Sequence, residues 1–377
     1  MKRIISEAVL ICAILVVAGY GVAQTWRQAG GSQYVPFNIA SSADGKIILV
    51  AGSGSPMYST NSTGTWGTNT QFSSGNCVAV SADGTQAIGA FFGTGGGLLI
   101  STNAGSSWNQ TPFTGGGFQA CAISADGTKM AAAVIFGGLY TSTNSGATWQ
   151  TNTLTGKQWR GMAASASGSL LAVAAEGDKI YITTNWGATW APTNSPVNNW
   201  MSVAASADGT RLVAAGGSVY ASTNSGSTWA PLSVTGTSVA SSANGRTLIL
   251  INGGNPQIYT STDYGNDWST TNVVGKQWYS TGSSADGAQL LAGENHTGVW
   301  ICQTVSSPQM NGSVNATNLT FSWLASSTNF VLQQNTDLTT ANWVTLTNAA
   351  VLNLTNLNNQ ITISPTNGAG FFRLSSP

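Results

Sequence analysis

The chain has 377 residues and a formal net charge of zero, and charged residues make up 6% of it, against roughly 25% in an ordinary soluble domain. Twelve Lys and Arg balance twelve Asp and Glu, so there is no cationic cluster to neutralise a phosphate backbone, and nucleic acid is excluded as a partner. Solubility must come from Ser, Thr, Asn, Gln and Gly, a composition that suits a β-rich extracellular protein.

In chain order, the first element is an address. Lys2 and Arg3 precede an apolar run from Ala8 to Ala18, followed by the small residues Gly21 and Ala23. That order predicts a secretory signal peptide over 1–23 with cleavage after Ala23. No later stretch is apolar and long enough to span a bilayer as a helix. Cys77, Cys121 and Cys302 remain after cleavage, with one histidine, His296. Neither CxxC nor Cys/His ligand spacing occurs, so no metal or cofactor is expected. Buried free thiols are one expectation for Cys77 and Cys121; a disulfide between them is the other.

From residue 24 to 304 the chain repeats itself. A nine-residue phrase ends at Trp66, Trp108, Trp149, Trp190, Trp229 and Trp268, as in TSTNSGATW, at intervals of 39 to 42 residues. That period fits one four-stranded propeller blade. A second phrase, SADG or a variant, places its third residue at Asp44, Asp83, Asp126, Ser167, Asp208, Asn244 and Asp286. Each unit reads as strand A, SADG turn, strand B, Gly-rich turn, strand C, Asx-x-x-Gly turn and strand D, with Asx side chains and positive-φ glycines making the turns. The Gly-rich run GTGGGL at 93–98 precedes a strand and lacks a following Lys, so it is a turn rather than a phosphate loop.

Seven SADG turns against six tryptophan phrases predict a displaced seventh copy. The unit beginning at Asp286 has a strand C at 299–304 and then no turn and no Trp, whereas Trp26 lies 18 residues before Asp44. The corresponding gap elsewhere is 17 or 18 residues, or 15 before Asn244. Thr25–Trp26 is therefore expected to supply the outer strand of the last blade, closing an all-β, seven-bladed propeller and removing its open edges.

The phrase S-T-N/D-x-G-x-T-W resembles the Asp-box, or BNR, repeat of sialidases, sortilin-like receptors, some xyloglucan-cleaving glycosidases and the photosystem II assembly-factor family. The resemblance covers roughly 25–304 and implies that the box holds the blade together on the C–D turn, away from the functional face. Its acid position is Asn in five copies, Asn61, Asn103, Asn144, Asn185 and Asn224, and acidic only at Asp263. A sialidase would need an arginine triad; of Arg27, Arg160, Arg211, Arg246 and Arg373, only Arg160 falls on the expected functional face. Sialidase activity is not expected, and fold alone does not assign another.

A–B and C–D turns share one end of a propeller, here termed the bottom; D–A and B–C loops share the top. At the top start of strand A, eight residues before each SADG acid, stand Pro36, Gly75, Phe118, Trp159, Trp200, Gly236 and Trp278. With Arg160 and Tyr279, the aromatics Phe118, Trp159, Trp200 and Trp278 are expected to form a ligand-binding platform for sugar rings or peptide; the alternative is that they pack between strands. The acids expected on the top face are Glu176, Asp178 and Glu294, candidates for general acid/base work on a glycoside. Residues 305–318 read as a polar linker. Alternating segments over 319–377 predict a small antiparallel β-sandwich, similar to a terminal module of secreted bacterial proteins. The leading expectation is a secreted or cell-surface (or periplasmic) binding or scaffold protein for a glycan or an extracellular protein. The alternatives are a glycoside hydrolase-like enzyme and an assembly factor.

Overall fold

The computed structural model describes residues 25–30, 34–93, 96–114, 117–152, 154–253, 255–273, 276–304, 308–314, 318–326, 330–364 and 370–375. The expected signal segment 1–23, and parts of the turn at 93–98 and of the linker at 305–318, lie outside the described residues. Among the described residues all regular structure is β-strand, and no helix is long and apolar enough to cross a membrane.

Seven antiparallel sheets, here sheets 1 to 7, follow one another between Trp26 and Gln303. Their innermost strands are Pro36–Ser41, Phe72–Val80, Phe118–Ile123, Gln158–Ala164, Ser202–Ala205, Ser238–Ser241 and Trp278–Ser283. Each packs against the innermost strands on either side, and Pro36–Ser41 packs against Trp278–Ser283, so the series returns to its start. The same closure is written in hydrogen bonds. The SADG alanine N–H donates to the carbonyl of the next SADG alanine, from Ala43 through Ala82, Ala125, Ala166, Ala207, Ala243 and Ala285 back to Ala43, at 2.7–2.9 Å. The architecture is a β-propeller.

The displaced outer strand is where the spacing placed it. Trp26–Gly30 pairs antiparallel with Gly298–Gln303, with Trp26 opposite Cys302 and Arg27 opposite Ile301. Trp26 is thereby buried among Ile249, Ile251 and Ile258 of sheet 6 and Leu290 of sheet 7. Pairing the first and last strands of the ring inside one sheet closes it on itself. Sheets 4 and 5 depart from the four-strand pattern. Sheet 4 gains Asn198–Asn199, which pairs with the second strand, Leu171–Asp178. In sheet 5 the second and third strands run together as Leu212–Ser222, the first half pairing inward and the second outward about Gly217, at φ +84°.

Both repeated motifs make turns, and both lie at one end of the ring. Ser42 Oγ donates to Asp44 Oδ1 (2.7 Å), which also accepts Lys46 N–H (3.1 Å), and the other acidic SADG copies repeat the arrangement. The backbone N–H of Ala104, Ser145, Ser225 and Tyr264, in C–D turns, reaches the carbonyls of Thr85, Thr128, Thr210 and Arg246, in A–B turns. In the C–D turns Asn103 Oδ1 accepts Ser107 N–H (2.9 Å) while Nδ2 donates to Ser107 Oγ (2.7 Å). Asn61, Asn144, Asn185 and Asn224 do the same with Thr65, Thr148, Thr189 and Thr228. The amide accepts the backbone N–H through its oxygen and donates to the hydroxyl through its nitrogen, whereas a carboxylate in its place could only accept. At Asp263 the partner is Asp267, which supplies only its N–H.

The C-terminal module is two small sheets. One runs Asn311–Val314, Leu319–Leu324, Asn358–Ile363, Val351–Asn353; the other runs Val344–Thr345, Val331–Asn335, Phe371–Ser375. Leu319, Phe321, Trp323, Leu332 and Ile361 form the buried centre. The module is seated on the bottom of the ring. Ala325, Leu352 and Leu357 pack with the SADG alanines. Leu357 takes φ +56°, its N–H bonded to Asn353 O and its carbonyl accepting Ala325 N–H. The SADG alanines and Leu357 together line a cavity of ≈ 150 Å³.

Candidate functional site

Of the aromatics expected as a platform, Tyr279 is exposed and the other four are core residues. Phe118 is buried, and Trp159, Trp200 and Trp278 are each 0% exposed. Their indole N–H groups donate to the carbonyls of Gly137 (3.3 Å), Pro196 (3.1 Å) and Pro256 (3.1 Å). Each ring meets, edge to face, an aromatic farther out in its own sheet: Trp159 with Tyr181 (5.6 Å, 87°), Trp200 with Tyr220 (5.7 Å, 85°) and Trp278 with Trp300 (5.9 Å, 88°). Phe118 meets Tyr140 at a tilt (5.9 Å, 59°). A side chain wedged between sheets with its polar atom satisfied has no face to offer a sugar.

The next residue along is the one turned outward. The innermost strands of sheets 1, 2, 3, 4 and 7 shift register across Phe37, Asn76, Gln119, Arg160 and Tyr279. A β-bulge leaves one residue out of the ladder and re-aims its side chain. With Met201 and Thr237 in sheets 5 and 6, these residues form a ring at the top mouth of the channel. Phe37 (45%), Met201 (40%) and Tyr279 (42%) are exposed, and Arg160 is half-buried. Phe136 (62%), on a B–C loop, and Val197 (65%), on a D–A loop, extend the apolar surface on this face. Among the described propeller residues the one other exposed large apolar side chain is Tyr264, on the bottom beneath the Arg211 guanidinium (4.0 Å).

The three top-face acids are each held by a cation. Glu176 Oε2 accepts Arg160 Nε (2.6 Å) and lies 2.5 Å from Nη2. Asp178 Oδ2 accepts Lys157 Nζ (2.5 Å) and Tyr181 Oη (3.2 Å), while Oδ1 accepts Lys179 N–H (2.8 Å). Burial pushes the Asp178 carboxyl up, but Lys157, the Lys179 N–H and Tyr181 outweigh it and leave it below the usual carboxylate range. Glu294 is buried, accepts Thr297 N–H (2.9 Å), the Thr297 hydroxyl and Gln277 N–H (3.4 Å), and lies 3.8 Å from Lys276 Nζ. Glu176 and Asp178 belong to one strand of sheet 4 and Glu294 to sheet 7. A general acid must hold its proton near neutral pH, usually through burial or a like charge; at Asp178 the Lys157 pair favours the opposite state.

Glu294 and Lys276 also line an open depression of ≈ 610 Å³ with Pro256, Gln277, Asn295, His296 and Thr297. His296 is exposed at φ +73° on this rim. Among the described residues no three of His, Cys, Asp and Glu cluster as metal ligands. Cys77, Cys121 and Cys302 are buried free thiols; burial, with Cys77 beside it, pushes the Cys121 thiol well above its ordinary value.

No family model matches the chain, and no curated protein matches it in sequence. Solved structures do resemble it. YCF48 bound to D1 peptide superposes with a TM-score of 0.58 at 19% identity, over 77% of this chain and 99% of that one. YCF48 from Cyanidioschyzon merolae gives 0.55 at 17%, over 74% and 98%. The GH74 xyloglucanase from Xanthomonas campestris gives 0.59 at 14%, over 80% of this chain and 59% of that one. At these identities the likeness establishes the fold alone, a β-propeller.

Proposed function

We propose that this chain is a binding propeller that holds a protein partner on its top face. The observation that carries the reading is the asymmetry of the ring: among the described propeller residues five of six exposed large apolar side chains lie on the top, while Leu357 of the C-terminal module packs against the SADG alanines at the bottom. Exposed apolar residues grouped on one face mark interaction surfaces. Support for a protein over a glycan comes from the burial of Phe118, Trp159, Trp200 and Trp278, which takes four of the expected stacking rings out of a sugar's reach. It comes also from a fold neighbour, YCF48, whose structure holds a D1 peptide. The ion pairs at Glu176 and Asp178 weigh against the hydrolase alternative. In the same reading the repeat is of the Asp-box type, 1–23 is a signal peptide, and the protein acts outside the cytoplasm, at the cell surface or in the periplasm.

The test is a parallel screen of the full chain on a peptide array, a glycan array and xyloglucan and β-glucan substrates. Peptide binding that weakens in a Phe37→Ser/Tyr279→Ser variant, with no release of reducing sugar, is expected. Cleavage of a polysaccharide that is abolished by Glu294→Gln would establish the enzyme instead.

A further inference from the structure

The seven sheets are near copies of one another, and sheet 4 is where they differ most. It alone carries a fifth strand, Asn198–Asn199, which also lies against Leu212–Ser222 of sheet 5. It holds two ion pairs on the top face, Lys157–Asp178 and Arg160–Glu176. Backbone contacts tie the surrounding apolar residues to these pairs. Phe136 N–H donates to Lys157 O (2.9 Å). Asp178 and Glu176 stand opposite Asn198 and Asn199, next to Val197. The carbonyl of Met201 lies 3.0 Å from where a Cβ on Gly161, beside Arg160, would stand. Phe136, Val197 and Met201 therefore surround a polar centre within one sector spanning sheets 3 to 5.

That centre has cationic capacity to spare. Arg160 meets Glu176 through Nε and Nη2, and Nη1 has no partner among the described residues. The Lys179 ammonium has none either, since only its backbone N–H is engaged, by Asp178. Three cations, Lys157, Arg160 and Lys179, stand against two acids, Glu176 and Asp178. Pairing fixes the guanidinium in place before any partner arrives, so less side-chain entropy is lost on binding. Aromatic and aliphatic anchors around an oriented charge are the arrangement of an interface hot spot.

We infer that this sector is a docking surface for a protein segment carrying a carboxylate side chain between apolar ones, with the carboxylate on Lys179 and Arg160 Nη1 and the apolar residues on Phe136, Val197 and Met201. The inference rests on the top-face reading and sharpens it to one sector and one partner chemistry.

The experiment uses a displayed random dodecapeptide library, selected on the immobilised full chain, with the affinity of a selected peptide then measured on four variants. Selected peptides should carry Asp or Glu beside Leu, Phe or Trp. Phe136→Ser/Val197→Ser and Lys179→Glu should each weaken binding by about tenfold, the effect of Lys179→Glu shrinking at high salt, and Tyr264→Ser on the opposite face should change nothing. Loss with Phe37→Ser/Tyr279→Ser and not with the sector variants would overturn the sector and leave the top-face reading standing. Selected peptides without acids would overturn the partner chemistry. Peptides sensitive only to Tyr264→Ser, or no selected peptides, would overturn both.

Discussion

Replacing Trp278 by alanine separates a core residue from a binding residue. The side chain is fully buried between sheets 6 and 7, in a cluster with Trp26, Ile251, Ile258 and Leu290. Truncating a buried Trp costs about 3–5 kcal/mol through lost transfer energy and the cavity left behind. The edge contact with Trp300 adds about 0.5–1.5 kcal/mol, and the carbonyl of Pro256 loses its donor. A total near 5 kcal/mol is a large part of the ~5–15 kcal/mol that stabilises a typical protein. The same change in an exposed platform would stay within about 0.5 kcal/mol. Urea unfolding followed by circular dichroism reads the difference as a shift in midpoint at constant slope. A midpoint within experimental error of the unaltered protein would refute the burial and restore Trp278 as a ligand contact.

Other consequences are as direct. Thr63 sits at φ +77° where five copies have Gly (Gly105, Gly146, Gly187, Gly226, Gly265), and its buried hydroxyl has no partner; Thr63→Gly should stabilise by about 1 kcal/mol, and a lowered melting temperature would contradict this. Leu357→Asp sets a carboxylate against the alanine ring and should lower the melting temperature and speed proteolytic separation of the module from the propeller; unchanged digestion would contradict the docking. Burial pushes the Asp83, Asp126 and Asp208 carboxyls up, but hydrogen bonds from Ser81, Ser124 and Ser206 and from Thr85, Thr128 and Thr210 outweigh it and leave them below the ordinary value. A depressed folded pKa stabilises above the unfolded value of about 3.9 and loses that contribution as pH falls through the folded one. Stability should therefore drop below about pH 4, less steeply in Asp208→Asn, and a drop centred above pH 5 would contradict the turn assignment. The three buried thiols should resist a thiol reagent until the protein unfolds; immediate labelling would contradict their placement.

The ring was legible because its signals are local and repeated. The SADG count, the tryptophan interval and the displaced Trp26 are facts of spacing, and spacing survives folding. The top face was less legible because one residue of register decides which side chain faces outward, and a bulge moves that register without marking the sequence. Trp159 and Arg160 are neighbours, yet one is core and the other surface. A partial signal was available: the sheets with an aromatic at the start of the innermost strand (Phe118, Trp159, Trp200, Trp278) carry another in the third-strand segment (Tyr140, Tyr181, Tyr220, Trp300). Sheets 1 and 6 carry the third-strand aromatic too, at Tyr58 and Tyr259, with Pro36 and Gly236 where the partner ring would stand, so the third strand offers a packing partner in sheets with and without the inner ring. The seat of Leu357 had no such signal, since a single leucine in a polar turn gives no period to read.

The most direct measurement of the central claim is hydrogen exchange on the full chain with and without a selected peptide. Protection gathered on the top-face segments around Phe37, Phe136, Arg160, Lys179, Met201 and Tyr279, with the SADG turns and the C-terminal module unchanged, is the expected result. Protection confined to the SADG turns, or to the C-terminal module, would contradict it.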